Sequence, residues 1–118
     1  MSLDVWLIQE FTYPGRDGQC TKIEDVFDGN ITHNLNAMAK EAGVYMHLWR
    51  PDELGITLAE ELIDPLTAGL KLLEDQPERF KQFNPANGWG NYRGLVDFVR
   101  DYLNACVQYP KAVIGVSR

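Results

Sequence analysis

A first candidate binding site is the cluster of polar residues around position 32. Asn30, Thr32, His33 and Asn34 are polar residues at the predicted start of a helix. The first backbone N–H groups of a helix lack partners within it, and its dipole is positive at that end. This cluster could bind an anion or a phosphate, with His33 as a general base or hydrogen-bond donor. In the alternative, Asn30 only caps the helix and His33 is a solvated surface histidine.

A second group surrounds Arg50, in the segment His47-Leu48-Trp49-Arg50-Pro51. Arg50 could hold a carboxylate or phosphate through two parallel hydrogen bonds. Trp49 could stack on a ring of the same ligand. In the alternative, Trp49 belongs to the core and Arg50 pairs with a nearby acid, Asp52 or Glu53.

A third group is the loop that contains Asn87 and Trp89, in the segment Asn84-Pro85-Ala86-Asn87-Gly88-Trp89-Gly90-Asn91. Loops on a rigid scaffold frequently carry binding residues. The flanking glycines permit close backbone approach, and Trp89 offers a face for stacking. In the alternative, the loop is structural and Trp89 fills the bottom of the core.

No familiar catalytic or cofactor motif occurs, so no catalytic residue, cofactor or metal is assigned. The patterns GxGxxG, GxxxxGK[ST], HExxH, GxSxG and CxxC are all absent. Cys20, His33 and His47 do not have the spacing of a zinc site. Whether the protein is an enzyme stays open, and the candidate ligand-binding residues are Asn30, Thr32, His33, Asn34, Arg50, Asn87 and Trp89.

The charge of the chain is acidic and unevenly distributed. The net charge is −6, from 11 bases and 17 acids. Residues 1–60 hold ten acids and four bases, so all of the net charge falls in the first half. Direct binding of a nucleic-acid backbone is not expected, because it requires a cationic surface. An acidic surface could instead bind a basic protein partner, imitate DNA if the acids form one stripe, or be an ordinary solvated surface.

The spacing of apolar residues predicts the helices and strands that carry these side chains. The 118 residues, 45% of them hydrophobic, predict one domain over 1–118. Strands are predicted at 3–9 and 112–117, and a turn-rich loop around 13–19. Residues 22–27 fit a short strand or a helical turn, and 44–49 a strand or extended segment. Helices are predicted at 31–42 with Asn30 as N-cap, as an abutting pair or a kinked helix over 58–74, at 77–83 and at 92–108.

The two terminal strands each need a partner, and the simplest partner is the other one. We therefore predict an α+β fold, a mainly helical single domain with a small sheet formed by the N- and C-terminal strands.

The cysteines and the apolar runs bear on location. Cys20 and Cys106, with no export signal, indicate free thiols in a reducing cytosol, and Cys106 lies on an apolar helix face. No apolar run approaches 18 residues, so no membrane span is expected. The protein is predicted to be cytoplasmic.

Several strings resemble a group of small uncharacterised proteins encoded by bacteria, phages and prophages. The similarity covers about 30–118 and leaves out 10–28. It is carried by an NITHNL…LWRP…NPxNGWG signature, here Asn30-Ile31-Thr32-His33-Asn34-Leu35, Leu48-Trp49-Arg50-Pro51 and Asn84-Pro85-Ala86-Asn87-Gly88-Trp89-Gly90, supported by Gly55-Ile56-Thr57 and Leu62-Ile63-Asp64-Pro65-Leu66. The resemblance implies a compact intracellular domain and supplies no catalytic residue.

Three functions are compatible with these features. The favoured one is a small acidic accessory protein that acts through a protein partner. The second is a small-ligand binder (an anion or a nucleotide) or a weak enzyme, with one pocket formed by His33, Arg50 and Trp89. The third is a DNA mimic, which would need the acids of residues 1–60 to form a single stripe.

Overall fold

The computed structural model describes all 118 residues as an α+β domain with three strands and five α-helices. The elements are β1 (Ser2–Gly15), β2 (Gly18–Thr32), α1 (Asn36–Glu41), α2 (Tyr45–Trp49), α3 (Ile63–Asp75), α4 (Pro77–Lys81), α5 (Tyr92–Gln108) and β3 (Val113–Ser117). Short 3₁₀ turns occupy His33–Leu35, Pro51–Leu54 and Ala59–Leu62. The α+β class is as predicted. Helix accounts for 48% and strand for 30% of the chain, so the sheet is larger than the small one expected.

The sheet is antiparallel with the order β2-β1-β3. The terminal strands pair as predicted, from Asp4 opposite Ser117 to Ile8 opposite Val113. The prediction missed the length of the β1–β2 hairpin, whose pairing runs out to Gly15 opposite Gly18. The turn residues at 13–19 do not form a loop, because the turn itself needs only Arg16 and Asp17. A β-bulge interrupts the pairing between Leu7 and Ile8.

The helix predicted at 31–42 starts later, and Asn30 does not cap it. Ile31 and Thr32 complete β2, residues 33–35 form a 3₁₀ turn, and α1 begins at Asn36. The Asn30 side-chain amide instead donates across the hairpin to Ser2 Oγ (3.0 Å) and Asp4 Oδ1 (2.7 Å). Thr32 caps the 3₁₀ turn, where its Oγ1 accepts from the Asn34 N–H at 3.3 Å. The apolar periodicity thus begins about one turn before the helix itself.

Residues 45–49 form helix α2 and not an extended segment. Val44 and Leu48 lie one helical turn apart, and both are buried. The apolar spacing fits a helix of barely more than one turn, which is too short for periodicity to identify.

The turn before α3 is capped by the Glu61 side chain. Glu61 Oε2 accepts from the N–H groups of Thr57 and Leu58, both at 2.9 Å. Glu60 is occupied by an ion pair with Lys111. The segment then continues as α3, with Pro65 in its first turn, where the missing N–H removes no helical hydrogen bond. Helix α4 ends at Lys81, two residues before the predicted end, and α5 has the predicted bounds.

A single core lies between the helices and one face of the sheet. Leu3, Val5 and Leu7 point into it from β1 and are fully buried. Phe27 on β2 stacks on Tyr102 of α5, with ring centroids 5.5 Å apart. The molecule is elongated, 59 × 27 × 24 Å, because the hairpin projects beyond the core. None of the helices is both long and apolar enough to cross a bilayer.

Candidate functional site

Four of the seven predicted site residues line a common pocket of about 440 Å³. We call it the Trp89 pocket, and it is lined by Met1, Ser2, Asn30, Thr32, Asn34 and Trp89. The end of β2 and the following 3₁₀ turn supply one side, and the 84–91 loop supplies the indole. His33 and Arg50 do not line it, so the predicted meeting of His33, Arg50 and Trp89 in one pocket does not occur.

The loop presents Trp89 to solvent instead of placing it in the core. The Trp89 side chain is 70% exposed, which rules out the core-filling alternative. Asn87 Oδ1 accepts from the Trp89 N–H at 2.9 Å, so Asn87 shapes the loop and does not line the pocket. Gly90, at φ +94°, lies against Thr32, whose Cγ2 would be 2.7 Å from an added Cβ. The loop is therefore fixed to the strand end that forms the rest of the pocket.

His33 turns inward, toward the helices. Its ring centroid lies 6.2 Å from that of Trp49, and its Nε2 is buried without a hydrogen-bond partner. It is therefore neither the exposed surface histidine of the alternative nor a lining residue of the Trp89 pocket.

Arg50 and Trp49 have the structural roles that the alternative gave them. Trp49 is 3% exposed and stacks on Tyr45, with centroids 5.2 Å apart. Arg50 pairs with Glu53, Nη1 to Oε2, at 2.6 Å. The Tyr45 hydroxyl and the Glu53 carboxylate raise the pKa of Arg50 above its usual value. The guanidinium group of Arg50 is thus engaged within the fold.

Asp52 is also engaged within the fold. Its carboxylate pairs with Arg118 at 2.9 Å, and this hydrogen bond lowers the pKa of Asp52. The C-terminal arginine also donates to the Trp49 carbonyl. Nowhere in the chain do three or more His, Cys, Asp or Glu side chains come together as a metal-binding group.

The structure reveals a second surface that the sequence patterns did not indicate, which we call the outer sheet face. It is the side of the sheet opposite the helices. Strand alternation places on it Asp4, Trp6, Ile8, Glu10, Ile23, Asp25, Asp28 and Val113, opposite or beside one another in the register. None of these residues is buried. The Trp6 indole lies across Gly115, where an added Cβ would overlap it.

The carboxylates of the outer sheet face have no cationic partner. Asp4, Glu10, Asp25 and Asp28 take part in no ion pair, whereas eight of the eleven Lys and Arg side chains are paired elsewhere. Alternation along 3–9 could have shown this face, but only if the hairpin had been recognised, because Asp25 and Asp28 come from β2.

The hairpin continues the outer sheet face beyond the core. We call residues 9–24 the arm, since β3 reaches only to Ile8. No side chain of the arm is buried, and Tyr13 and Ile23 are 47% and 68% exposed. The arm consists of two strands, whose outer edges and both faces are open.

No protein-family model, curated protein or solved structure matches the chain.

Proposed function

We propose that the protein is an interaction module that binds a basic, partly apolar segment of a protein partner on its outer sheet face. The observation that carries this proposal is the combination on that face of four unpaired carboxylates with exposed apolar side chains. Trp6 and Ile8 form the apolar centre, and Asp4, Asp25 and Asp28 surround it. An apolar centre with a polar rim is the usual composition of a protein interface.

The negative charge of the outer sheet face determines which kind of partner binds there. Unpaired carboxylates favour a Lys- or Arg-bearing segment, speed its encounter and fix its orientation. A second copy of the chain would bring the same four carboxylates against each other, which is repulsive. The partner is therefore a different protein with a basic surface.

The arm supports the same proposal. Two-stranded hairpins without a third strand or a helix are marginally stable in water. The seven residue pairs of the arm extend about 23 Å at ~3.3 Å per residue. We propose that a bound partner also covers part of this length, since Phe11 and Tyr13 occupy one face and Ile23 the other.

The other two functions predicted from the sequence have less support. The small-ligand function requires His33 and Arg50 in the same pocket as Trp89, but neither side chain lines the Trp89 pocket. A DNA mimic requires a single stripe of acids, but Glu24, Glu41, Asp52, Glu53 and Glu60 are each in ion pairs away from the outer sheet face.

The location and origin remain part of the proposal. We propose a cytoplasmic protein, in which Cys20 is an exposed free thiol on the arm and Cys106 a buried one. The resemblance to small bacterial, phage and prophage proteins implies a compact intracellular domain and assigns no activity.

The test uses a Lys/Leu amphipathic peptide as the probe and follows backbone amide NMR shifts of the full chain. We expect shifts confined to β1, β2 and β3 on the outer sheet face. Asp25→Asn with Asp28→Asn should weaken binding about tenfold, or about 1.4 kcal/mol.

The matched control is Asp64→Asn with Asp75→Asn, which changes the net charge equally at unpaired acids of α3. If both pairs of substitutions weaken peptide binding equally, the binding depends only on the net charge of the protein, and the proposed site is wrong. Shifts that map to the helices would also overturn it.

A further inference from the structure

The Trp89 pocket combines an exposed indole, carried on a hydrogen-bonded loop, with neutral polar side chains. Trp89 is 70% exposed, yet its loop is fixed by three asparagine side chains. Asn84 Oδ1 accepts from the Tyr92 N–H (2.7 Å), Asn87 Oδ1 from the Trp89 N–H (2.9 Å) and Asn91 Oδ1 from the Gly94 N–H (2.8 Å). An exposed tryptophan on an ordered loop loses little conformational entropy when a ligand covers it.

The remaining side chains of the pocket are hydroxyls and amides. Ser2, Asn30, Thr32 and Asn34 offer both donors and acceptors, and no Lys or Arg lines the pocket. The Asn30 side-chain nitrogen donates to Ser2 and Asp4, but the side-chain oxygen of Asn30, Oδ1, accepts no hydrogen bond within the protein. The Asn34 side chain is exposed and makes no hydrogen bond within the protein.

Charge gives an anionic ligand no advantage here. The Asp4 carboxylate lies 2.7 Å from the Asn30 amide nitrogen. The one cationic group of the lining residues is the Met1 ammonium, and no Lys or Arg lines the pocket. The pocket and its hydrogen-bonded neighbour Asp4 thus carry one charge of each sign, and a phosphate or carboxylate would meet no net positive charge.

We infer that the Trp89 pocket binds a neutral saccharide, with one face of a pyranose ring packed on the Trp89 indole. The C–H face of a pyranose is apolar and flat enough to pack on an aromatic ring, while its hydroxyls radiate around the edge. Those hydroxyls both donate and accept hydrogen bonds. They can therefore bond to the side chains of Thr32 and Asn34 and donate to Asn30 Oδ1. The volume of about 440 Å³ falls within the usual range for small-molecule sites.

This site adjoins the protein-binding surface, because Ser2, Asn30 and Thr32 lie on the same side of the sheet as Asp4. Asn30 lies beside Asp4 and Asp28 on the sheet, whereas Trp89 and Asn34 belong to the loop and the 3₁₀ turn. Substitutions at Trp89 or Asn34 therefore test the saccharide site without altering the carboxylates of the outer sheet face.

The experiment titrates the full chain with glucose, galactose, N-acetylglucosamine and maltose, each to tens of millimolar, and records backbone and side-chain NMR shifts. We expect at least one sugar to shift the Trp89 indole N–H and the Asn34 side-chain amide, with a Kd around a millimolar, or about −4 kcal/mol. Trp89→Ala should abolish these shifts and Trp89→Phe should retain part of them. Both variants should melt like the wild type, because the side chain is exposed.

AMP and inorganic phosphate are the controls for charge. Shifts at the pocket with AMP, and none with the sugars, would show that the ligand is a nucleobase or nucleotide and would overturn the inference. No shift with any of the sugars would overturn it as well. Asp25→Asn with Asp28→Asn should leave the sugar shifts unchanged, so a failure of this inference is distinguishable from a failure of the proposed protein-binding function.

Discussion

At the scale of single residues, four buried polar side-chain atoms lack partners. They are the Tyr102 hydroxyl, His33 Nε2, His47 Nδ1 and Gln9 Oε1. Burial is also the main reason that the pKa of Tyr102 is raised. A buried, unsatisfied polar group costs about 1–3 kcal/mol, so replacing such a group with an apolar one of the same shape should raise the free energy of unfolding.

Removing the Tyr102 hydroxyl should stabilise the protein. Tyr102→Phe keeps the ring that stacks on Phe27 and meets Phe98 edge-on, and deletes only the unpaired oxygen. We expect the free energy of unfolding to rise by about 1 kcal/mol, measured by urea titration. A loss of stability would show that the hydroxyl has a partner in solution.

Two leucines from predicted helix faces should behave differently. Leu35 is 1% exposed, so Leu35→Ala should lower the free energy of unfolding by about 3 kcal/mol. Leu103, which the periodicity places on the buried stripe of α5, is only half-buried, and its truncation should cost about 1 kcal/mol. Equal losses in urea titrations of the two variants would contradict the difference in burial.

At the scale of elements, the sequence was informative where apolar periodicity was long and misleading where it was short. Helix α5 has the predicted bounds because 17 residues contain several repeats of its stripe and end at Pro110. Helix α2 and the start of α1 were missed, since one turn contains too few apolar positions. The hairpin was missed because the exposed arm has no buried face, and so lacks the alternation that identifies a strand.

The candidate site shows the same division. Asn30, Thr32, Asn34 and Trp89 are polar or aromatic residues at loops and element ends, which is why the sequence indicates them as candidates, and in the structure they line one pocket. The separation of His33 and Arg50 from them depends on how α1 and α2 pack, which no local pattern encodes. The outer sheet face depends on the register of two strands far apart in sequence.

The Glu61 cap should make stability depend on acid. The backbone N–H groups of Leu58 and Thr57 donate to this carboxylate and lower the pKa of Glu61. Because the folded-state pKa is below the unfolded one, the stabilisation is complete above the ordinary glutamate pKa of about 4.3 and is lost as pH falls through the folded value. Urea titrations from about pH 6 to pH 3 should therefore show falling stability.

The control for this cap is a neutral variant. Glu61→Gln should be less stable at neutral pH and should fall less steeply with acid. Asp64→Asn, at an exposed carboxylate in the first turn of α3, serves as the comparison. An identical acid slope in the wild type and Glu61→Gln would show that the cap does not couple folding to pH.

At the scale of the whole molecule, the folding unit and the projecting arm are separate. The molecule is 59 Å long, but its core extends along the hairpin only as far as β3 pairs with β1. No residue of the arm belongs to that core. Shape and charge therefore agree, since the least buried part of the chain lies in its acidic half. Stability belongs to the core, and the proposed binding belongs to the sheet face and arm.

Removing the arm should leave the core folded. We expect a variant that joins Ile8 to Asp25 through an Asn-Gly turn to lose no more than about 1 kcal/mol, because no buried side chain is deleted. Urea titration and far-UV circular dichroism would measure this. Global unfolding of the shortened chain would show that the arm contributes to the core.

The bulge at Val26 determines the parity of β2. Asp25 and Asp28 are three residues apart, and in a regular strand an odd separation puts two side chains on opposite faces. The register pairs Asp28 with Trp6 and Asp25 with Ile8, which share a face, because Val26 is an extra residue without a partner of its own. If Val26 were instead paired in a regular strand, either Asp25 or Asp28 would turn to the other side of the sheet. Deleting Val26 would remove the bulge and leave Asp25 and Asp28 two residues apart, still on the same face. The charge pattern of the outer sheet face therefore depends on this bulge as well as on the charged residues themselves.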